Sequence, residues 1–347
     1  MSEKNFSELF ADAAAKREAF AADMEAEGTD AFRLFSGSAE GRPGLTADRM
    51  GSSLLVQNFF DPLTDAENRV LADYASAHGL CLAVWPKYDR EAMRERGREA
   101  MAAFKAGCGG LKVCTEQGDR FYASDISCGL DPYIYLDFRA GRRRLRAEVK
   151  ERLKSAAGEK VRVLNLFSYT CTAGVAACAA GAEAVNVDFG TWCLELGRRN
   201  AALNGIPAGR FECWHEDIFP VLWQLSGLGV KGKAARRGRF MRIEPQRFDI
   251  IVLDPPTFAS GRFGKVDIEN DYQSLLKPCL LSLKPGGCVL AVNHSSNVSA
   301  EDWMAKMHRC AEKAGCPLSR GIELLVPDSD CPAIDGAHPV KMAMLYI

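Results

Sequence analysis

Apolar and polar positions alternate along this chain in two patterns. From Asn5 to about Met24, the residues Phe6, Leu9, Phe10 and Ala13 fall on one face of a helix, with Asn5 and Glu8 spaced as a capping box. Turn residues then divide "FSGSAEGRPGLTADRMGSSLLVQNFF" into short strands such as Leu54 to Phe60. A helix over Ala66 to His78, ended by Gly79, a strand ending at Trp85 and a charged helix from Arg90 to Ala106 complete an α+β module. The segment "LKVCTEQGDRFYASDI" predicts a β-hairpin turning at Gln117-Gly118-Asp119, and "YIYLDF" a further strand or extended entry.

Past Arg139 the pattern changes. An amphipathic helix sets Leu145, Val149 and Leu153 on one face and its arginines on the others. The apolar runs "VRVLNLF", "AEAVNVD", "FECWHED", "FDIIVLDPP" and "GGCVLAVNH" then alternate with helical stretches, as in a mostly parallel sheet covered by helices on both faces. The expected divisions are an N-terminal helix (1–28), a small α+β domain (29–115), a hairpin and linker (116–138), and an α/β, Rossmann-like domain (139–347).

At 347 residues, two domains or one domain with a large appendage are expected. The apolar fraction of 47% and charged fraction of 26% are those of a soluble globular chain. No window holds the roughly 18 uninterrupted apolar residues of a membrane span, and the charged first segment does not fit a secretory signal, so a cytoplasmic protein is expected. The thirteen cysteines are scattered without a C-x-x-C pair, which argues for reduced, mostly buried thiols and against a disulfide framework or a zinc site. A net charge of −1 conceals two basic blocks, "RAGRRRLRAEVKERLK" (Arg139 to Lys154) and "KGKAARRGRFMR" (Lys231 to Arg242).

The first turn of the α/β domain, "FSYTCTAG", is poor in glycine. A pyrophosphate needs close backbone approach along several glycines, and here only Gly174 stands. A nucleoside ligand without phosphates tolerates Phe167, Ser168, Tyr169 and Thr170, and S-adenosylmethionine is such a ligand. Asp188, about 20 residues on at the end of the second strand, suits the ribose hydroxyls, with Phe189 to pack on the adenine; that Asp188 merely caps the helix near Thr191 stays open. Glu216 and Asp217, followed by Ile218, close the third strand, where a carboxylate can accept from the adenine amino group. Asp254-Pro255-Pro256 ends the fourth strand as a rigid loop with exposed carbonyls and a carboxylate.

Taken together, "VLNLFSYT", "VNVD", "RRNAALNGI", "FDIIVLDPPTF" and "LKPGGCVLAVN" resemble the class I S-adenosylmethionine-dependent methyltransferases. More closely they resemble the bacterial family that methylates large-subunit ribosomal RNA at cytosine C5 or guanine N7. Thr29 to Gln57 and "GLDPYIYLDFRAGRRRL" extend the resemblance upstream, to roughly Thr29 to Ile347. It implies a seven-stranded sheet, S-adenosylmethionine as cofactor, RNA binding by the small domain, and a pocket built from Arg139, Phe167, Ser168, Tyr169, Asp188, Asp217 and Asp254. Arg139 rests on the resemblance alone.

Members that make 5-methylcytosine look to carry an "SCS"-like tripeptide after the fifth strand, and this chain has Asn293-His294-Ser295 there. Without a thiolate to add to the ring, cytosine C5 lacks its activation. Guanine N7 has an exposed lone pair and needs only alignment, to which Asn293 and His294 can contribute. The family's additional RNA-binding barrel is not seen, so Lys231, Lys233, Arg236, Arg237 and Arg239, with Phe240 among them, are candidates for RNA contact, and Phe258 for stacking on a flipped base. The expected partner is RNA, with no membrane and no metal, and a homodimer is left open. Two other functions remain: an amino-group methyltransferase, and a non-catalytic S-adenosylmethionine-binding RNA factor.

Overall fold

The computed structural model describes residues 4–105, 112–123, 131–155, 159–231, 236, 239–334, 336–338 and 340–347. The chain divides into two units, Met1–Asp137 with Pro327–Gly336, and Phe138–Val326 with Ala337–Ile347. No helix among the described residues is long and apolar enough to cross a membrane.

In the first unit α1 (Phe6–Lys16) starts at the Asn5/Glu8 capping box. The single helix expected to Met24 is broken at Arg17, and α2 runs Glu18–Ala26. The break has a local cause: Arg17 is buried, donates back to the Ala13 carbonyl at 3.3 Å and pairs with Glu40. Strands β1 (Ala31–Ser36), β2 (Leu45–Met50), β3 (Ser53–Asn58) and β4 (Cys81–Pro86) form one sheet in that order, with the short helix α3 (Gly37–Glu40) between the first two. The first three strands pair antiparallel. β3 and β4 are parallel, and the crossover is α4 (Asp65–Ala77), capped by Thr64 and Glu67, with Gly79 left-handed just past its end. Phe10, Phe32, Phe35, Leu54, Val56 and Leu71 fill the core between helices and sheet.

After α5 (Arg90–Lys105), β5 (Lys112–Glu116) and β6 (Asp119–Ala123) make the expected hairpin. Gln117 and Gly118 both take positive φ, 52° and 81°, as a two-residue turn matched to strand twist requires. "YIYLDF" forms a single 3-10 turn, Leu136–Phe138, in place of a strand. The segment 327–336, assigned from sequence to the second domain, belongs to the first unit: the buried Asp330 carboxylate accepts the Arg33 N–H on the edge strand β1 at 2.9 Å.

The second unit is a seven-stranded sheet. In spatial order its strands are β9 (Phe211–His215), β8 (Glu183–Asp188), β7 (Arg162–Leu166), β10 (Phe248–Leu253), β13 (Leu283–Asn293), β15 (Lys341–Tyr346) and β14 (Ile322–Leu325). All pair parallel except β15, which runs antiparallel to both neighbours. Strand order reverses beside β7, so its carboxyl end and those of β8 and β10 open one crevice. Residues along β10 alternate between two cores. Ile250 and Val252 meet α6 (Arg139–Ser155) and α7 (Thr172–Ala179), while Ile251 and Leu253 meet α9 (Ile218–Leu225), α10 (Gln273–Leu281) and α11 (Ala300–Ala314). On the β8 side, α8 (Thr191–Leu203) completes the cover.

The arginines of α6 correct the sequence expectation. Arg139, Arg142 and Arg146 are buried rather than solvated, and Arg142 lies over the Phe138 ring at 5.6 Å. Glu148, also buried, takes Arg144 at 3.1 Å, Arg152 at 2.8 Å and the Tyr346 hydroxyl at 3.0 Å. The arginines of this block are therefore largely internal wiring, while Lys150 and Lys154 stay exposed, because a long helix packed on a sheet can bury arginine stems and pair their heads.

Gly174 carries a close approach of α7 to β8. A Cβ there would fall 2.0 Å from Asn186 Oδ1, which accepts from Asn165 at 2.9 Å. Gly174→Ala is expected to cost about 1–3 kcal/mol through forced repacking, read as a lower midpoint in urea unfolding; an unchanged midpoint would show that the asparagine pair can move aside.

Candidate active site

The carboxyl ends of β7, β8, β9, β10 and β13 lie in a row, and Phe167 to Thr170, Asp188, Phe189, Asp217, Ile218, Asp254, Asn293 and His294 sit on or just past them, whereas Arg139 and the basic insertion do not. The loop after β7 is unusual in its backbone: Phe167, Tyr169 and Cys171 all have positive φ, at 55°, 47° and 60°. Non-glycine residues rarely hold this conformation, and three at alternate positions persist only because the surroundings impose it. Ser168 N–H donates to the Val187 carbonyl at 3.0 Å, Cys171 N–H to Ser168 at 2.7 Å, and Asn200 to the Thr170 carbonyl at 3.1 Å.

Asp188 joins this loop to the next. Its Oδ2 accepts the Tyr169 N–H at 2.9 Å and its Oδ1 the Gly190 N–H at 2.8 Å. The N-cap of α8 is Gly190, with no side-chain cap, so Asp188 is not the capping residue of that helix. A carboxylate has about four acceptor sites, so Asp188 keeps capacity for a ribose hydroxyl beyond its backbone donors. Ser168 and Thr170 are buried and enter the site through their backbone, while Tyr169 packs edge-on against Trp192.

A cleft of about 250 Å³ lies beside them, lined by Phe167, Phe189, Asp217, Ile218, Phe219 and the loop after Ala259. Phe189 is 66% exposed, and its carbonyl is held by His215 at 2.9 Å. Asp217 caps α9 through the Phe219 N–H at 3.0 Å, and burial raises its carboxyl above the ordinary value. The far wall is a hairpin, β11 (Phe258–Ser260) and β12 (Lys265–Asp267), that hydrophobic patterning missed because the strands are so short. Its signal was the pair Gly261 and Gly264: a Cβ on the first would stand 2.7 Å from Asp217 Oδ2, and on the second 2.8 Å from the Phe219 ring. A mostly apolar cleft lined by Asp217 and adjoining the loop that Asp188 holds fits an adenosyl group.

Glu216 is occupied elsewhere. It accepts the Met241 N–H at 2.8 Å, and Gln224 holds Met241 and Ile243, so these two side chains fix the return of the insertion that follows α9. Within that insertion Lys231, Arg236 and Arg239 are exposed, whereas Lys233 and Arg237 lie outside the described residues. Phe240, expected to be available for a base, packs edge-on against Phe263 and carries Arg242 over its ring at 4.8 Å. Phe258 is 62% exposed.

On the acceptor side, Asp254 and His294 stand at the ends of adjacent strands, with Oδ1 and Nε2 at 2.7 Å. Pro255 is buried and Pro256 exposed, so the loop is anchored at one proline only. Asn293, expected to reach the acceptor, is fully buried, its Oδ1 accepting the Ser295 N–H at 2.9 Å. Ser295 is held in turn by Glu269 at 2.6 Å. Asn293 therefore shapes the loop that carries His294. Arg139 is fully buried at the start of α6. Among the described residues no group of three or more side chains is arranged to hold a metal ion.

Burial lifts the Asp188 carboxyl above the usual aspartate value of 3.8, against the lowering effect of its backbone N–H donors. A raised value means protonation begins earlier on acidification, and a protonated carboxyl accepts poorly from hydroxyls. Affinity for S-adenosylmethionine is thus expected to fall with pH starting above 3.8, and Asp188→Asn to flatten that dependence. Asp188→Ala should weaken binding about 10- to 100-fold by isothermal titration; unchanged affinity would remove Asp188 from the pocket.

The sequence profile of the S-adenosylmethionine-dependent methyltransferases matches residues 32–346. Ribosomal RNA large subunit methyltransferase I of Salmonella typhimurium and of Salmonella arizonae is 28% identical over 281 residues, 79% of this chain and 62% of theirs. The chain thus spans less than two thirds of these curated relatives. Among solved structures, SMU.776, assigned as a methyltransferase and complexed with S-adenosylhomocysteine, aligns over 100% of this chain and 83% of its own, at a TM-score of 0.72 and 21% identity. The SAM-dependent methyltransferase from Agrobacterium tumefaciens aligns over 92% and 90%, at 0.60 and 20%. With the strand order, the Asp188 bridge and the adenosyl-sized cleft in agreement, the chain belongs to the S-adenosylmethionine-dependent methyltransferase family, and S-adenosylmethionine is its cofactor.

Proposed function

We infer that this protein methylates a base of RNA, with large-subunit ribosomal RNA as the substrate and guanine N7 as the acceptor. The observation that carries the acceptor is the Asp254–His294 pair, which stands where a 5-methylcytosine enzyme would need a thiolate. The bound cofactor supplies an electrophilic methyl group on a sulfonium. The chain's own residues supply position: Asp188 and Asp217 for the nucleoside, Phe189 for its ring, and the Asp254 loop with His294 for the incoming base. Guanine N7 attacks with a lone pair it already has, so orientation within the cleft is the main requirement.

No described cysteine offers a substitute nucleophile at the acceptor edge. Burial pushes the thiols of Cys178 and Cys288 up to about 12 and raises Cys171, Cys279, Cys310 and Cys316 as well. Cys213, lowered by its hydrogen bond with Cys171, lies within β9 rather than at the acceptor edge. The substrate class is supported by the names of the curated relatives and by the exposed Phe258 beside the prolines.

One observation favours a second acceptor. A carboxylate–imidazole pair is equipped to take a proton, and an exocyclic amine must lose one when methylated, whereas guanine N7 loses none.

The test is mass spectrometry of nucleosides from unmodified ribosomal RNA incubated with the protein and methyl-labelled S-adenosylmethionine. Labelled 7-methylguanosine is expected. Labelled N-methylated adenosine, guanosine or cytidine would move the acceptor to the amine, with His294→Asn then lowering kcat about 100-fold at little change in KM. No label on any base, with cofactor binding intact, would sink the RNA-methyltransferase reading.

A further inference from the structure

Three exposed aromatic rings crowd the carboxyl ends of β3 and β4 in the first unit. Phe59 is 46%, Phe60 61% and Tyr88 37% exposed, in a unit whose other phenylalanines largely fill its core. They are neighbours through the sheet: Asn58 pairs with Pro86, and the Tyr88 N–H donates to the Asn58 carbonyl at 3.2 Å. Phe59 N–H donates to the Gly44 carbonyl at 2.8 Å, and Phe60 lies against Gly44 itself. A Cβ at Gly44 would stand 2.4 Å from the Phe60 ring, so the glycine lets the ring settle on the backbone and leaves its remaining surface to solvent.

Two residues after Tyr88, α5 begins with a separate feature. Arg90, Arg94 and Arg98 repeat every fourth residue, which brings them along one side of the helix at a rise of about 6 Å per step. All three are exposed and, together with Glu91, line one shallow surface depression. Among the described residues no carboxylate lies in ion-pair distance of any of them, although Glu91, Glu95 and Glu99 follow along the same helix. By contrast Arg96, on the inner side, donates to the Val84 carbonyl at 2.9 Å. Their spacing is close to that of successive phosphates on an extended strand.

Aromatic platforms beside unpaired arginines at phosphate-like spacing are what a single-stranded nucleic acid requires, since every base has a face to stack and every step a charge to neutralise. We propose that Phe59, Phe60 and Tyr88 with Arg90, Arg94 and Arg98 form a binding surface for single-stranded RNA, separate from the basic insertion after α9. This rests on the reading of the protein as an RNA methyltransferase.

The test uses the full chain and a 20-nucleotide single-stranded RNA of mixed sequence with 2-aminopurine at its centre. Replacing Arg90, Arg94 and Arg98 together by Gln should weaken binding at least about tenfold. It should also reduce the slope of log affinity against log salt by about 2, at about 0.7 per lost phosphate contact. Phe60→Ala should weaken binding about fivefold or more and diminish the quenching of 2-aminopurine on binding. Binding of S-adenosylmethionine should be unaltered in each variant, which excludes misfolding of the catalytic unit, and unchanged far-ultraviolet circular dichroism guards the first.

Wild-type RNA affinity in both variants would overturn the surface, and intact methylation of ribosomal RNA would then leave the functional reading standing. Equal competition by polyglutamate would also overturn it, because the site would be selecting charge alone. Arginine- and Phe60-dependent RNA binding without methylation of any RNA would uphold the surface and overturn the functional reading.

Discussion

The Asp188 carboxylate accepts main-chain N–H groups from two different loops, and much of the cofactor edge depends on that bridge. On one side it holds Tyr169, within a turn where three non-glycine residues are left-handed; on the other it fixes Gly190 and thereby the exposed Phe189. Backbone in sparsely populated regions costs about 1–3 kcal/mol per residue, so the loop needs fixed partners. Burial makes the ionised carboxylate itself expensive, and its backbone N–H donors offset part of that cost. The result is a turn shaped before ligand arrives, with little conformational freedom left to lose on binding.

The remainder of the site is built on the same plan, with side chains that serve the backbone before they serve a ligand. Asp217 caps α9 and faces the cleft; Asn293 orders the loop that carries His294; Glu269 anchors that loop from a third element. Such double duty explains why acidic residues cluster at the sheet edge without mutual repulsion dominating. Each carboxylate has a neutral or hydrogen-bonded neighbour, and the Asp254 carboxylate has His294.

What the sequence disclosed follows from how local each signal is. Strands buried on both faces appear as unbroken apolar runs, and so β7, β8, β10 and β13 were legible, as was Asp188 from its distance to the turn. The capping box at Asn5 and the Gln117-Gly118 turn were equally local. Features set by tertiary contact were not. Arg142 and Arg146 look solvated until the helix is packed, Glu216 looks like a ligand until Met241 is seen to claim it, and Phe240 looks free until Phe263 covers it. Asn293 was placed at the end of its strand, but its burial and its hold on Ser295 depend on the packing of the following loop, which sequence does not show. The β11–β12 hairpin was hidden by its length, and only Gly261 and Gly264 hinted at how near it comes to the pocket.

The position of β15 has a consequence for how the polypeptide is assembled during synthesis. It lies between β13 and β14, both made earlier, and in sequence it follows the segment 327–336 that belongs to the first unit. Until Lys341–Tyr346 has emerged from the ribosome, β13 presents an unpaired, wholly apolar stretch from Cys288 to Val292, and β14 has no partner. A nascent chain in that condition carries the kind of open edge that recruits other strands. Completion of the second unit therefore waits on the last residues of the chain, because the interior strand β15 is the last one made.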